Sequence, residues 1–315
     1  MTNGAQGNRP TKNQRREEAR ANAKVLRESR AKQDKRRKVL VQGGVIVGIL
    51  VVVAVIVTVI TTNLPQPGPR PANMASDGIV LTAQLDAKGK PTGAIVAVQN
   101  AALPAGAQPI ATTPIPGKLN IVEYQDYMCP VCGGFDRNDS QVIMDRVAKG
   151  EATYEIHPIA ILNPNSQGTM YSTRAANATA CVANFSPNDF LSYNQLLYTN
   201  QPEEGTTGLT DDKLISLAQQ VATANQSAIA SCITKKTFAG WVSEATKRVV
   251  DATALPNSDN VPFSGTPTVI VNGVKYDAKF FTKGTDQYYT NPAEFEAFLL
   301  EQKGKMVSPT ATPTP

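Results

Sequence analysis

Residues 123–132 read Glu123-Tyr124-Gln125-Asp126-Tyr127-Met128-Cys129-Pro130-Val131-Cys132, and they join a predicted strand directly to a predicted helix. The apolar run from Leu119 to Tyr124 indicates a strand. A helix is predicted to begin at Pro130, because proline at the first helical position needs no N–H partner, and to end near Gly150. The pattern therefore places Cys129 immediately before the first turn of a helix, with Cys132 inside that turn.

Cysteines in this position are predicted to be chemically active. The first sulfur faces unpaired backbone N–H groups and the positive end of the helix dipole, which stabilise the thiolate. Such cysteines have pKa values of about 3.5–7.5 rather than about 8.5. We therefore expect Cys129 to be the exposed nucleophile and Cys132 the more buried resolving thiol, with Pro130 and Val131 as the active-site dipeptide. We expect no metal here, because a zinc site needs four ligands and the other candidates are only Cys181, Cys232 and His157, with no second Cys-x-x-Cys.

The other two cysteines, Cys181 and Cys232, are 51 positions apart in a region of helical composition. An even cysteine count favours disulfides outside the cytoplasm. We expect a structural bridge that ties helices together, with a second redox relay as the alternative.

The remaining pattern extends outward from the cysteine pair. It predicts a hairpin over 78–98, a strand from Ala152 to His157, and a helical region over about 167–254. A second hairpin should turn at Asn272-Gly273, and a last helix should begin at Asn291 and stop by Gly304. The order of strand, cysteine helix, strand, helical region, hairpin and helix predicts an α/β thioredoxin-like fold with a helical insertion.

An apolar run of 22 residues without charge, Val39 to Ile60, precedes this domain. A helix of that length spans about 33 Å, enough to cross a bilayer core of about 30 Å. A cleavable signal peptide would have a shorter apolar region followed by a small-residue cleavage site, and Thr61-Thr62-Asn63-Leu64-Pro65 offers none. We expect an uncleaved single transmembrane helix.

Charge sets the expected orientation. Residues 1–38 hold 13 Lys/Arg against four Asp/Glu, so the positive-inside tendency predicts a cytoplasmic basic tail and an extracytoplasmic catalytic domain at the cell membrane. Residues 61–77 are predicted to be a stiff Pro-rich linker, 78–116 a hairpin extension, 117–304 the main domain and 305–315 a loose tail.

Composition excludes several function classes. With 41% hydrophobic and 18% charged residues the chain is not a disordered one. Residues 39–315 hold 18 Lys/Arg against 22 Asp/Glu, so we expect no nucleic-acid partner. The single histidine, His157, argues against Ser-His-Asp hydrolysis and His-ligated metals, and we expect no cofactor.

At these residues the chain resembles the DsbA-like thiol:disulfide oxidoreductases, most closely the membrane-anchored actinobacterial forms. Besides residues 123–132, Ser264-Gly265-Thr266-Pro267-Thr268 is similar to that family's cis-proline loop, and the resemblance covers about residues 117–304. It implies a cis bond at Pro267 and substrate binding by Thr266. It also implies that Glu123 is a buried proton acceptor beneath the cysteines, whereas we expect Asp126 to be a solvated loop carboxylate.

The resemblance further implies an oxidase that introduces disulfides into exported client proteins, reoxidised by a quinone-linked membrane partner of the DsbB or VKOR type. The Cys181/Cys232 pair resembles the extra disulfide of some members. One departure is Val131, where the family's best-known oxidant has histidine, so we expect weaker stabilisation of the thiolate.

Two alternatives remain open at this point. A reductase or isomerase of the same fold, for example in cytochrome c maturation, would reverse the electron flow, since reduction potential and not fold sets the direction. A non-catalytic thioredoxin-fold module could bind copper or a partner protein, although copper chaperones on this fold typically add a histidine, and His157 is expected to be structural.

Overall fold

The structure, a computed structural model, describes residues 68–277, 281–283 and 287–307. The predicted cytoplasmic tail (1–38), the transmembrane helix (39–60) and the first part of the linker (61–67) lie outside the described residues, as do residues 308–315. Within the part of the chain that is described, no helix combines the length and the apolar character that crossing a bilayer requires.

Six strands form one sheet in the order β2-β1-β4-β3-β5-β6. Strand β3, which leads to the cysteines, is central and buried along its whole length. It runs parallel to β4 and antiparallel to β5. The strands are β1 (Ile79–Leu85), β2 (Pro91–Ala97), β3 (Leu119–Gln125), β4 (Ala152–Pro158), β5 (Thr268–Val271) and β6 (Val274–Lys275), and a separate pair is formed by β7 (Phe281–Lys283) and β8 (Gln287–Tyr289).

Seven helices accompany the sheet in the described residues. The cysteine helix α1 follows β3, a helical insertion separates β4 from β5, and one helix ends the domain. The bounds are α1 (Pro130–Ala148), α2 (Tyr171–Phe185), α3 (Phe190–Thr199), α4 (Asp211–Val221), α5 (Gln226–Lys235), α6 (Ala239–Asp251) and α7 (Pro292–Val307). The expected α/β thioredoxin-like layout with a helical insertion is confirmed.

The N-terminal hairpin exists as predicted, but it belongs to the central sheet and is not an appendage to it. Strand β1 pairs with β2 on one side and with β4 on the other, with Leu81 opposite Ala97 and Tyr154. Because β4 offered an unpaired edge, the hairpin extends the same hydrogen-bonded ladder. It thus lies on the β4 side of the sheet, while the cis-proline strand β5 lies on the other side of β3.

The turn at Asn272-Gly273 has positive φ at both residues, 51° and 89°, which suits a two-residue hairpin. The last helix continues beyond the expected stop at Gly304 to Val307. A single glycine costs a helix only about 1 kcal/mol relative to alanine, so packing elsewhere on the helix can carry it through. The β7–β8 pair was not predicted.

Residues 68–77 are not the spacer that the proline pattern predicted. Arg70 and Asp77 are buried, with 3% and 5% exposed. Asp77 accepts hydrogen bonds from Arg70 Nη2, Trp241 Nε1 (2.9 Å) and Arg248 Nε (2.7 Å). Since Trp241 and Arg248 lie on α6, this buried charge cluster fastens the segment before β1 to the helical insertion.

Replacing Asp77 by Asn keeps the shape of the side chain but leaves the buried Arg70 without its counter-charge and leaves Arg248 with Glu244 alone, at 3.5 Å. We expect the free energy of unfolding to fall by about 3–5 kcal/mol, the usual cost of removing one partner from a buried ion pair. Chemical denaturation measures it. The control is Asp251→Asn, which removes an exposed pair with Lys247 and should change stability far less; equal losses from both variants would contradict the assignment.

Candidate active site

The cysteine pair sits at the junction between β3 and α1. Cys129 is the N-cap residue of the helix, with extended backbone angles, and Pro130 takes the first helical position. The backbone N–H of Cys129 donates to the Asp126 carbonyl at 3.0 Å, and this hydrogen bond closes the turn that follows β3. The sulfur of Cys129 therefore lies at the positive end of a helix of 19 residues.

The two thiols are free, and their environments make them unlike each other. Hydrogen bonding with Cys132 lowers the pKa of Cys129 to about 7, and hydrogen bonds with Thr266 and with the backbone N–H groups of Cys132 and Val131 act in the same direction. Burial opposes them. Burial also raises the pKa of Cys132 well above its usual value. The hydrogen bond to Cys129 and the negative charges of Cys129 and Glu123 act in the same direction. Of the two thiols, Cys129 is therefore the one that ionises near neutral pH, while Cys132 keeps its proton.

A cis peptide bond joins Thr266 and Pro267 immediately before β5. Because β5 pairs with β3, this bond lies beside the cysteine helix. In its protonated form the Cys129 thiol donates to the Thr266 carbonyl at 3.3 Å. Thr266 and Pro267 are half-buried, as are Pro130 and Val131. The partly open surface around Cys129 is thus made by the active-site dipeptide and the cis-proline loop.

Glu123 lies in the interior behind the cysteines and is 1% exposed. The Tyr154 hydroxyl donates to Oε2, while Oε1 has no hydrogen-bond partner among the described residues. The pKa of Glu123 is raised to about 8, chiefly by burial and also by the charges of Asp136, Asp139 and Cys129, against the lowering effect of the Tyr154 hydrogen bond. This carboxyl group holds a proton at neutral pH.

Asp126 is buried and not solvated, contrary to expectation, with 0% exposed. One carboxylate oxygen accepts from Met128 N and the other from Leu162 N, both at 2.9 Å. The side chain is therefore a structural clamp that holds the loop before Cys129 against the segment after β4. Burial raises the pKa of Asp126, and these hydrogen bonds partly offset that effect.

His157 lies on the opposite face of the sheet from Glu123, because side chains alternate along paired strands. It is 4% exposed, stacks on Tyr124 with ring centroids 4.5 Å apart, and pairs with Glu155 at 3.0 Å. These contacts describe a structural histidine. The disulfide Cys181–Cys232 joins α2 to α5, within the helical insertion.

Sequence reasoning missed three side chains near the site. Gln201 follows α3 and donates to the carbonyls of Cys129 (2.8 Å) and Tyr127 (3.3 Å). A Cβ at Gly133 would lie 2.0 Å from Gln201 Oε1, so a glycine is required there for this contact. Nothing local in the sequence points to Gln201. Asp136 and Asp139 could have been noticed, since they follow Cys132 by four and seven positions on the same face of the helix.

The arrangement is that of a thiol–disulfide exchange centre. Cys129 is activated but buried, with 6% exposed, so it is not the exposed nucleophile that the sequence predicted. Cys132 is fully buried and holds its proton, and a neutral carboxyl group lies behind the two thiols. A dithiol of this kind accepts and donates a disulfide through a mixed-disulfide intermediate. The described residues that surround it need supply only protons and backbone hydrogen bonds.

Comparison with known proteins agrees with this site. A family model described as Thioredoxin matches residues 117–287. The serine/threonine-protein kinase PknE of Mycobacterium tuberculosis is 31% identical over 153 residues, which are 47% of this chain and 27% of the kinase. The chain thus spans about a quarter of the length of the curated relatives it matches.

Several solved structures are also similar. A reduced disulfide bond oxidoreductase (DsbG) from Mycobacterium tuberculosis is 27% identical, covers 64% of this chain and 82% of its own, and gives a TM-score of 0.47. The reduced DsbA of the same organism is 22% identical, with coverages of 73% and 97% and a TM-score of 0.49. Oxidised BdbD from Bacillus subtilis is 16% identical, with 76% and 98% and a TM-score of 0.48. All three scores lie below 0.5, so the chemistry of the site rests on its own residues.

The raised pKa of Glu123 predicts how stability varies with pH. Between about 4.5 and about 8 the folded chain holds a proton that the unfolded chain releases, so the contribution is complete below 4.5 and is lost as pH rises through 8. Glu123→Gln mimics the neutral acid and removes this loss. We expect its unfolding free energy to gain on the wild type as pH rises, by an amount on the order of a few kcal/mol in total.

Denaturant unfolding at a series of pH values between 4 and 9 measures this difference, with Glu203→Gln in an exposed loop as the matched control. Parallel stability curves for the wild type and Glu123→Gln would show that the carboxyl group does not hold a proton in the folded state.

Proposed function

The chain belongs to the thioredoxin family, and we propose that it is an extracytoplasmic thiol:disulfide oxidoreductase that introduces disulfides into exported proteins. The observation that carries the proposal is the asymmetry of the cysteine pair. Cys129, at the helix N-terminus and beside the Thr266 carbonyl, has a lowered pKa, whereas that of Cys132 is raised.

The reaction follows from these two environments. A client thiolate attacks Cys129 Sγ of the oxidised pair, the Cys129–Cys132 bond breaks, and a mixed disulfide forms while Cys132 leaves as a thiolate. That thiolate is buried, so it takes a proton, which the neutral Glu123 carboxyl group can give. A second client thiolate then attacks the client sulfur of the mixed disulfide and expels Cys129 as the stabilised thiolate. The client has lost two electrons and the cysteine pair has gained them.

Thr266 and Pro267 are proposed to hold the client during this exchange. The Thr266 carbonyl is 3.3 Å from Cys129 Sγ and the loop is half-exposed, so an extended client segment that passes Cys129 meets the backbone of this loop. Backbone bonding of this kind is indifferent to side chains, which suits an enzyme with many clients.

The location in an oxidising compartment is supported by the second cysteine pair. Cys181–Cys232 is a closed disulfide in the interior of the insertion, and such bonds persist in oxidising compartments, where a donor of disulfides has clients. We propose that a quinone-linked membrane protein of the DsbB or VKOR type reoxidises Cys129 and Cys132. It would lie in the same membrane as the anchor proposed for residues 39–60.

A reductase or isomerase is the second candidate, and one observation favours it. The pKa of Cys129 is lowered only to about 7, close to the value of about 7 for thioredoxin and far above the value of about 3.5 for DsbA. Val131 lies where a histidine would stabilise the thiolate further.

We expect the full-length oxidised chain to oxidise reduced, denatured ribonuclease A, and Cys129→Ser to lose at least about 100-fold in rate because the attacked sulfur is gone. Serine is a good N-cap residue, so this variant keeps the helix start. The control is Cys181→Ala/Cys232→Ala, which should retain exchange while folded. Unchanged activity of Cys129→Ser would refute the mechanism.

The same protein, equilibrated with glutathione, separates the two candidates. A potential at or above about −180 mV supports disulfide donation, while a value near about −270 mV assigns the reductase role. A pair that never titrates would leave only a binding module of this fold.

The proposed location is tested by thiol labelling in intact cells that express the chain. After mild reduction, a membrane-impermeant maleimide should label Cys129, and the chain should stay with the membranes until residues 39–60 are deleted. Cys129→Ser/Cys132→Ser is the matched control, because its remaining cysteines form the buried disulfide. Labelling that requires cell lysis would place the domain in the cytoplasm.

A further inference from the structure

One face of the cysteine helix carries a row of acidic groups behind the thiols. Asp136 and Asp139 follow Cys132 at four and seven positions along α1. Residues at such spacings share a helix face, with Cβ atoms of neighbours about 5–6 Å apart. Asp139 is completely buried and Asp136 is half-buried. The resolving thiol is therefore the first member of a row that continues as carboxyl groups.

Glu123 faces this row from strand β3. The charges of Asp136 and Asp139 both act on it, and it acts in turn on Cys132. The other titratable groups that face it are Cys129 at the helix start and a set of buried phenols from neighbouring elements. These are Tyr127 of the loop before α1, Tyr154 of β4 and Tyr198 of α3.

These carboxyl groups lack the cations that usually accompany buried acids. Among the described residues, no lysine or arginine forms an ion pair with Glu123, Asp136 or Asp139, and the neighbouring Arg137 acts on Asp136 only at longer range. Two buried oxygens, Glu123 Oε1 and Asp139 Oδ1, have no hydrogen-bond partner within the described part of the chain. Burial without a paired cation disfavours the ionised form, and it raises the pKa of each of the three carboxyl groups.

The three groups differ in their access to solvent. Glu123 is 1% and Asp139 0% exposed, and the Thr290 hydroxyl donates to Asp139. Asp136 is half-buried, and its Oδ1 accepts only a long hydrogen bond of 3.4 Å from Asn194 Nδ2. Of the three, Asp136 alone combines contact with the interior and contact with water.

Disulfide exchange at this site requires a group that can carry protons between water and the buried Glu123. Each opening of the Cys129–Cys132 bond produces a buried Cys132 thiolate, and the proton that Glu123 gives it leaves a buried carboxylate with no cation. Glu123 has to regain a proton before it can act again, yet it has no contact with solvent of its own.

On the basis of the proposed function, we propose that Asp136 is a proton relay that passes protons between solvent and Glu123, and so acts on Cys132 through Glu123. During reduction of the disulfide, a proton moves from Asp136 to Glu123 as Glu123 protonates the Cys132 sulfur, and water then reprotonates Asp136. During reoxidation the same proton leaves by the reverse route. Two electrons enter the cysteine pair from the client, and the relay carries only protons.

The proton affinities of the two groups suit the transfer. Burial raises the pKa of Asp136 to about 7, against a lowering effect of Arg137, and the pKa of Glu123 is about 8. A proton on Asp136 thus moves to a slightly more basic acceptor, and Asp136 exchanges readily with water near neutral pH. Asp139, with a pKa raised to about 6 by burial, holds its proton less tightly and is tied to Thr290.

The test is the single-turnover reduction of the disulfide in the full-length chain by dithiothreitol, followed by acid quench and thiol alkylation over pH 5.5–9. Asp136→Asn should slow this step about tenfold at pH 7, a modest share of what general acid–base groups contribute. It should also remove the inflexion of the pH profile near 7. Asp136→Glu should recover most of the rate, and Asp145→Asn, on the exposed face of the same helix, should not change it.

A double-variant comparison shows whether Asp136 acts through Glu123. In a Glu123→Gln background, Asp136→Asn should have no further effect, since the relay has no acceptor. Unchanged rates for Asp136→Asn, or equal slowing with and without Glu123, would overturn the relay. If the wild-type chain itself fails to react with dithiothreitol, the proposed function fails instead. Thermal unfolding of every variant separates a lost relay from a lost fold.

Discussion

The start of helix α1 is the constraint on which the site depends. A helix N-terminus leaves backbone N–H groups without partners and carries partial positive charge. Placing Cys129 there stabilises a thiolate in a position where burial alone would oppose one. The position holds because β3 enters the turn from the centre of the sheet, Asp126 clamps the loop, and Gln201 bonds the carbonyl of Cys129 itself.

Burial then separates the roles of groups that would be alike in water. Cys129 and Cys132 are the same residue type three positions apart, yet hydrogen bonding lowers the pKa of one and desolvation raises that of the other. The same desolvation turns Glu123 from a carboxylate into a proton-holding acid. The site thus favours negative charge on Cys129 and keeps protons on Cys132 and Glu123 behind it, which is the distribution that disulfide opening requires.

The scaffold around the site is tied together by two long-range devices. The disulfide Cys181–Cys232 closes the helical insertion, and the buried cluster around Asp77 joins the segment before β1 to α6. Both connect elements on which the site rests, since Gln201 from the insertion contacts the loop before α1. These contacts hold the helical insertion against the rest of the domain, in addition to the two chain segments that connect it to β4 and β5.

By itself, the sequence determined the features that arise locally. The strand-to-helix junction, the Cys-x-x-Cys spacing, the Asn272-Gly273 turn and the element order depend on neighbours within a few positions, where propensity and capping act. Tertiary structure alone decided which polar groups are buried. Asp126 and Arg70 stand in segments that resemble exposed loops, and the row behind Cys132 became significant only opposite Glu123. Burial depends on distant segments, so no local pattern reports it.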